Sequence, residues 1–318
     1  MALVEVLLDS MPGVLLLYWS LCTLAAVIAL FPSLGWSGFR NAVKLSACRG
    51  KLWSGKPDAP LGPLQAARVP QKWFAHFYAI GVLCAVTALW LLFAVDLPVA
   101  QGSKGSQAAL LGMLCLLLHL ARRLVESTCL MSYPEDAFMH LIAYFFGVSY
   151  YIALPLTLLP SSAWQRLQSH MVQLRLLDGR DIAALLEAVG VRLTMTQAVG
   201  VLVFFAGNAL QCHSHWILAR LRATIAGKRG DHLQTTADGY AVPEGGAFTL
   251  VSCPHYLGEI VIYFGLALIL GDSNVCIWIV LAWVVSNLML AAGPTHQWYK
   301  QNFAAYPSQR RALIPWVY

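Results

Sequence analysis

Four clusters of ionisable and hydrogen-bonding residues interrupt a chain that is otherwise apolar, and the spacing within each limits its chemistry. In His119-Leu-Ala-Arg122-Arg123-Leu-Val-Glu126, helical spacing brings His119, Arg123 and Glu126 to one side. Such a group is either an interfacial ion pair with snorkelling arginines or a set of proton and hydrogen-bond donors. In Gln211-Cys-His213-Ser-His215-Trp-Ile-Leu-Ala-Arg220-Leu-Arg222, the two histidines point to different helix faces and make a poor metal pair. Arg220 and Arg222 suit either a cytosolic-side anchor or a nucleotide phosphate. In Ser252-Cys-Pro-His255-Tyr256-Leu-Gly-Glu259, His255 and Glu259 share a face, and a carboxylate one turn into an apolar run needs a partner or a polar cavity. No third ligand stands at motif spacing, so no metal is expected. The fourth cluster is the tail, from His296-Gln-Trp-Tyr299-Lys300 to Tyr306-Pro-Ser-Gln-Arg310-Arg311-Ala-Leu-Ile314-Pro315, a basic aromatic segment suited to the cytosolic leaflet. The chain has no G-x-G-x-x-G and no P-loop, so a bound nucleotide would not sit on a Rossmann or Walker scaffold.

Positioning these clusters falls to membrane helices. Of 318 residues, 58% are hydrophobic and 11% charged, against roughly 25% charged in a soluble domain. The apolar residues lie in runs that reach or approach the about 20 residues needed to cross a bilayer. Seven runs, near 14–31, 73–95, 107–121, 137–159, 195–218, 255–271 and 275–293, predict an all-α integral membrane protein of about seven spans. Glu5 and Asp9 precede the first run, where a signal peptide would be basic, so that run is expected to be retained as a span.

The basic residues orient these spans. Arg40, Lys44, Arg49, Lys51, Lys56, Arg68 and Lys72 against Asp58 put the first loop in the cytosol. With seven crossings, Arg122 and Arg123, then Arg220, Arg222, Lys228 and Arg229, then Lys300, Arg310 and Arg311 fall on that same side. The N-terminus is thus expected in the lumen and the C-terminus in the cytosol, with cytosolic segments near 32–72, 122–136, 219–254 and 294–318. An amphipathic piece at 182–189 is suited to the outer interface. With no repeat or soluble boundary, the chain reads as one membrane-embedded domain. Its net charge of +6 resides in short loops where orientation explains it, so nucleic acid is not an expected partner. The eight cysteines form no C-x-x-C pair and read as small buried residues.

The tail and the block Pro254-His-Tyr-Leu-Gly-Glu259 resemble the steroid 5α-reductase family. Val69-Pro-Gln-Lys-Trp-Phe-Ala-His76-Phe-Tyr78, Leu118-His119-Leu-Ala-Arg-Arg-Leu-Val-Glu126 and Phe146-Gly-Val-Ser-Tyr-Tyr151 resemble its polyprenol reductase branch. The matching blocks run from about 69 to the last residue. The resemblance implies a seven-span enzyme of the endoplasmic reticulum membrane that binds NADPH at the cytosolic side. It also implies saturation of the α-isoprene unit of polyprenoids, supplying dolichol for protein N-glycosylation. Carried over residue by residue, Arg222, Tyr240, Glu259, His296, Tyr299 and Arg310 fall where the family's cofactor-facing pattern lies, and His296 is also taken as catalytic. His255 joins the cofactor set, although the family commonly has Asn there. Steroid-reducing members carry a tyrosine where this chain has Leu120 and a richer His/Arg run where it has Gly293-Pro-Thr, which favours a polyprenoid substrate over a steroid.

Adding hydride to a C=C bond requires conjugation to a group that can hold the electron pair, and an allylic alcohol offers none. The expected immediate substrate is therefore polyprenal, a lipid held in the bilayer, reduced to dolichal. A protein group must then hydrogen-bond the carbonyl oxygen, and His76, His119 and Glu126 are the candidates. A steroid enone or a trans-2-enoyl thioester are rival substrates within the family. A methyltransferase using S-adenosylmethionine and a transporter are readings from other classes. The polar residues a transporter would need, such as His140, Gln197, Asn208 and Asn287, are scattered without repeat symmetry.

Overall fold

Thr194 opens the longest helix by a reciprocal cap: its hydroxyl accepts from the Gln197 amide at 3.2 Å while the Gln197 side chain accepts from the Thr194 amide at 3.0 Å. Apolar residues then sustain that helix to Ala226. The same logic repeats along the chain in a computed structural model that describes residues 2–31, 33–34, 36–47, 67–100, 104–133, 135, 137–168, 193–227, 234–236, 239–271 and 273–318. Its helices are α1 (Ala2–Leu30), α2 (Ser37–Ala47), α3 (Phe74–Ala100), α4 (Lys104–Val125), α5 (Leu141–Thr157), α6 (Ser161–Gln168), α7 (Met195–Ala226), α8 (Pro254–Leu270) and α9 (Cys276–Asn302).

Among the described residues, five helical stretches are long and apolar enough to cross a membrane: Ser10–Leu30, Gln71–Phe93, Gly105–Leu130, Met195–Ala226 and Cys276–Asn302. Helices α5 and α8 are apolar but shorter, at 17 residues each. The protein is thus mostly helical and multi-pass. Leu17, Leu21 and Leu24 on α1, Leu83 and Val86 on α3, and Leu202 and Phe205 on α7 are exposed. In water such faces would aggregate, whereas in a bilayer they meet acyl chains.

Two contacts set the frame of the site. Helices α7 and α8 run antiparallel, backbone against backbone, with Gly200 facing Gly265 and Gly207 facing Gly258. A Cβ on Gly207 would lie 2.6 Å from the Ile262 amide nitrogen, so only glycine permits this approach. It brings Gln211 of α7 onto the first turns of α8. On the other side, Trp19 is fully buried, donates from Nε1 to the Thr157 hydroxyl at 2.8 Å and packs on Tyr150 and Trp283. That cluster joins α1, α5 and α9.

The helices overrun the hydropathy boundaries. The third apolar run continues through Val125 and then through a π-helical turn, Glu126–Leu130. Its charged end packs against α7 and α8. Helix α7 continues to Ala226, and α9 passes Pro294 to reach Asn302. Parts of the segments expected as loops at 122–136, 219–254 and 294–318 are therefore helical. Beside the helices the described residues hold one small strand pairing, which leaves the helical class unchanged. Strand β1 (Arg68–Pro70) pairs antiparallel with β2 (Phe138–His140), Arg68 opposite His140. Three-residue strands are too short to show an alternating pattern. The stretch 182–189 lies outside the described residues, as do Arg49, Lys51, Lys56, Asp58, Lys228 and Arg229 of the charged loops.

Candidate active site

The end of α4 supplies Arg122 and Arg123, and the π-turn that follows places Glu126 between them. Arg122 Nη1 donates to Glu126 Oε1, and Arg123 Nη1 donates to Glu126 Oε2 at 2.6 Å. Helix α7 answers with Asn208, Gln211 and His215, a polar stripe at helical spacing on an otherwise apolar helix. Asn208 Oδ1 accepts from Arg122 Nε at 3.0 Å, Gln211 Oε1 accepts from Arg122 Nη2, and His215 Nδ1 lies 2.7 Å from Glu126 Oε2. Helix α8 adds Glu259, whose Oε2 accepts from Gln211 Nε2.

His119 completes this network. Its Nδ1 lies 3.2 Å from Arg122 Nη2, which can only donate, so the ring proton belongs on Nε2. That nitrogen faces Glu259 Oε1 at 3.5 Å and makes no hydrogen bond of good geometry. Two carboxylates and two guanidiniums thus neutralise one another among three helices, with two imidazoles beside them, the condition under which charge is tolerated away from water.

Beside the network lies a cavity of about 590 Å³. One wall is aromatic, with Phe74, Phe77, Phe146, Tyr150, Tyr151 and Trp283. The other is polar, with Arg222, Tyr240, Ser252, His255, Glu259 and Tyr299, and Tyr78, Arg123, Gln211 and His215 stand where the two meet.

The tail backs the polar wall by pairing with the segment before α8. Val251 bridges Arg311 in parallel, the Ser252 amide donates to Arg311 O at 2.8 Å, and the Cys253 amide donates to Ala312 O at 3.1 Å. Ser252 Oγ then lies 2.6 Å from both His296 Nδ1 and the Tyr306 hydroxyl. Tyr306 stacks on Tyr299 with ring centroids 5.4 Å apart. Burial pushes its phenol above the usual value, so it stays protonated at physiological pH. Arg310 is 5% exposed, donates from Nη1 to Pro243 O at 3.0 Å, and has no hydrogen-bond partner for Nε among the described residues. Arg222 lies 4.2 Å over the Tyr240 ring and donates to Gly239 O at 3.2 Å.

The residues singled out in the sequence fall into three places. Arg222, Tyr240, His255, Glu259 and Tyr299 line the cavity. His296 and Arg310 stand just behind them, joined through Ser252 and Tyr306. His119 and Glu126 lie in the ionic network and do not line the cavity, while His76 is exposed, with Nδ1 3.1 Å from the Tyr144 hydroxyl. Sequence reasoning gave no role to Tyr78, Gln211 or the tyrosines Tyr150, Tyr151 and Tyr263. The i, i+3, i+7 stripe of Asn208, Gln211 and His215 was the signal for the α7 face. Nothing local pairs Tyr78 with Arg123.

Residues 187–318 match the family described as 3-oxo-5-alpha-steroid 4-dehydrogenase. The chain is 34% identical to polyprenal reductase 1 of Arabidopsis thaliana over 94% of its own length and 95% of the relative's. It is 35% identical to the polyprenal reductase of Caenorhabditis elegans over 78% and 79%, and 30% identical to that of Homo sapiens over 85% and 84%.

Proposed function

The chain belongs to the steroid 5α-reductase family, on its polyprenal reductase branch, and from that premise we propose that it reduces the α-isoprene C=C of polyprenal to give dolichal, with NADPH as reductant, in the endoplasmic reticulum membrane. The observation that carries this reading is a cavity whose aromatic wall meets a polar wall that carries Arg222. A polyprenoid tail cannot leave the bilayer and a dinucleotide cannot enter it, so the two must meet where the phases touch.

The donor set fits a dinucleotide. Arg222 and Arg310 present guanidiniums bonded to neutral groups, namely carbonyls, aromatic faces and, for Arg310, the Tyr306 hydroxyl, and Arg310 Nε is buried without a partner among the described residues. Such cations fit phosphates. Tyr240 and Tyr299 offer aromatic surface, and His255, Glu259 and His296 can hydrogen-bond ribose or carboxamide groups. NADPH, when bound, supplies the hydride. Glu126 and His119 hold Arg122, Arg123 and Glu259 in place, and the aromatic wall offers the apolar tail its packing surface.

In this reading α5 and α8 also cross the membrane, giving seven spans with the N-terminus lumenal and the C-terminus cytosolic. At 1.5 Å per residue they span about 25 Å, which flanking residues extend to a bilayer core.

The test is NADPH oxidation by detergent-purified protein offered polyprenal, polyprenol, a steroid enone and an enoyl thioester separately, with the product identified by mass. Polyprenal alone should be consumed, gaining two hydrogens. Equal saturation of polyprenol with no aldehyde present would overturn the substrate assignment, and reduction of the steroid alone would move the chain to the other branch of its family.

A further inference from the structure

We propose that Tyr78 is the hydrogen-bond donor that holds the substrate's carbonyl oxygen while negative charge builds on it. The inference rests on the polyprenal reading above. Tyr78 stands where the cavity's aromatic wall, represented by Phe74 and Phe77, gives way to Arg123 and Glu259. Arg123 Nη2 donates to the Tyr78 hydroxyl at 2.6 Å, and the guanidinium lies 4.7 Å over the ring. A guanidinium cannot accept, so the phenolic oxygen is the acceptor in that bond and its hydrogen stays available. Among the described residues no group takes that hydrogen. A phenol whose oxygen already accepts from a cation is also a stronger donor.

The competing groups are less well placed. Glu259 lines the cavity, but as a carboxylate paired with Gln211 it only accepts. Tyr150 donates to Tyr263. Tyr151 lines the cavity with its ring edge-on to Tyr78, and no cation hydrogen-bonds to it among the described residues. Arg123 acts through Tyr78 as a positioning residue, itself fixed by Glu126 and His215.

Two electrons arrive with hydride at the β-carbon. The C=C pair moves to join the α-carbon to the carbonyl carbon, and the carbonyl π pair moves onto oxygen, giving an enolate that Tyr78 stabilises without losing its proton. A proton from water then bonds to the α-carbon, the enolate pair forming that C–H bond as C=O returns, and the product is the saturated aldehyde.

The experiment compares wild type with Tyr78→Phe, which keeps the ring contacts to Tyr151 and Arg123. Loss of one such donor is expected to lower kcat for polyprenal by about 10²-fold. The NADPH dissociation constant, read by intrinsic fluorescence, should stay unchanged and reports that the variant is folded. In a separate binding titration, polyprenoic acid presents a negative oxygen like that of the enolate, and its affinity should fall about tenfold or more. Tyr78→Phe within threefold of wild type in both kcat and polyprenoic acid affinity overturns the inference, as does a comparable loss confined to Tyr151→Phe. Wild-type protein that leaves polyprenal unreduced overturns the reductase reading and this inference with it.

Discussion

The cavity has two cationic neighbourhoods, and they differ in what their charges face. Around Glu126, Arg122 and Arg123 meet a carboxylate inside the protein, with side chains from α7 completing the shell. Around the tail, Arg222 and Arg310 meet the carbonyls of Gly239 and Pro243, the rings of Tyr240 and Tyr306 and the Tyr306 hydroxyl, all neutral, with no ion pair among the described residues. A cation already neutralised can hold shape but has little left to offer a ligand. A cation held by neutral dipoles keeps its charge for an anion from outside. The difference teaches that similar residue types are spent on internal ion pairs on one side of the cavity and left uncompensated on the other, where the proposed dinucleotide would bind.

The strongest way to break that contrast is to remove the carboxylate at the centre of the scaffold. Glu126→Ala leaves Arg122, Arg123 and His215 facing one another, and should cost about 3–5 kcal/mol of stability, read as a large fall in the unfolding midpoint in detergent. A variant as stable as wild type would show that the network is not structural. Next in size, Gly207→Leu forces a side chain into the α7–α8 backbone contact and should cost about 1–3 kcal/mol or more. It should lower stability and turnover together, because the same contact seats Gln211 against Glu259. Arg222→Ala sharpens the contrast from the other side. Its unfolding midpoint should stay near that of wild type while the NADPH dissociation constant rises about tenfold or more. A fall in stability as large as that of Glu126→Ala would erase the distinction.

How far the molecule was legible from its residues follows the same division. Among the described residues an apolar helix overlaps each of the seven hydropathy runs, five of them long enough to cross a membrane, since hydropathy is a local property of consecutive residues. Part of the polar wall was legible as well: His255, Glu259 and Tyr299 stand in the quoted blocks, Arg222 and Tyr240 came from the family's pattern, and all five line one cavity. The scaffold was harder to read. Glu126 meets His215 across 89 positions and Arg123 meets Tyr78 across 45. No spacing rule on one helix reaches that far. His76, His119 and Glu126 looked like donors because they are titratable and near span ends, yet none lines the cavity. Tyr78, a neutral phenol in an apolar run, carried no such flag. The β1–β2 pairing was invisible because it joins segments about 70 residues apart through three residues each.

The smallest expected effect tests whether the tail's charge is truly unclaimed. Tyr306 lies under Arg310 with its ring centroid 5.3 Å from the guanidinium carbon and its hydroxyl 2.6 Å from Ser252 Oγ. Tyr306→Phe keeps the ring and removes the hydroxyl's bonds to Ser252 and Arg310, for about 1 kcal/mol of stability. The pH dependence of that difference is the informative part. Burial raises the folded phenol above the unfolded value of about 10, so between the two the folded state binds more protons and Tyr306's contribution declines as pH rises. The gap between wild type and Tyr306→Phe should therefore hold steady below about pH 10 and narrow above it. If the gap instead widened with pH, the folded phenol would be ionising beside Arg310. That guanidinium would then have an internal counter-ion, and the tail would be a second scaffold in place of a binding wall.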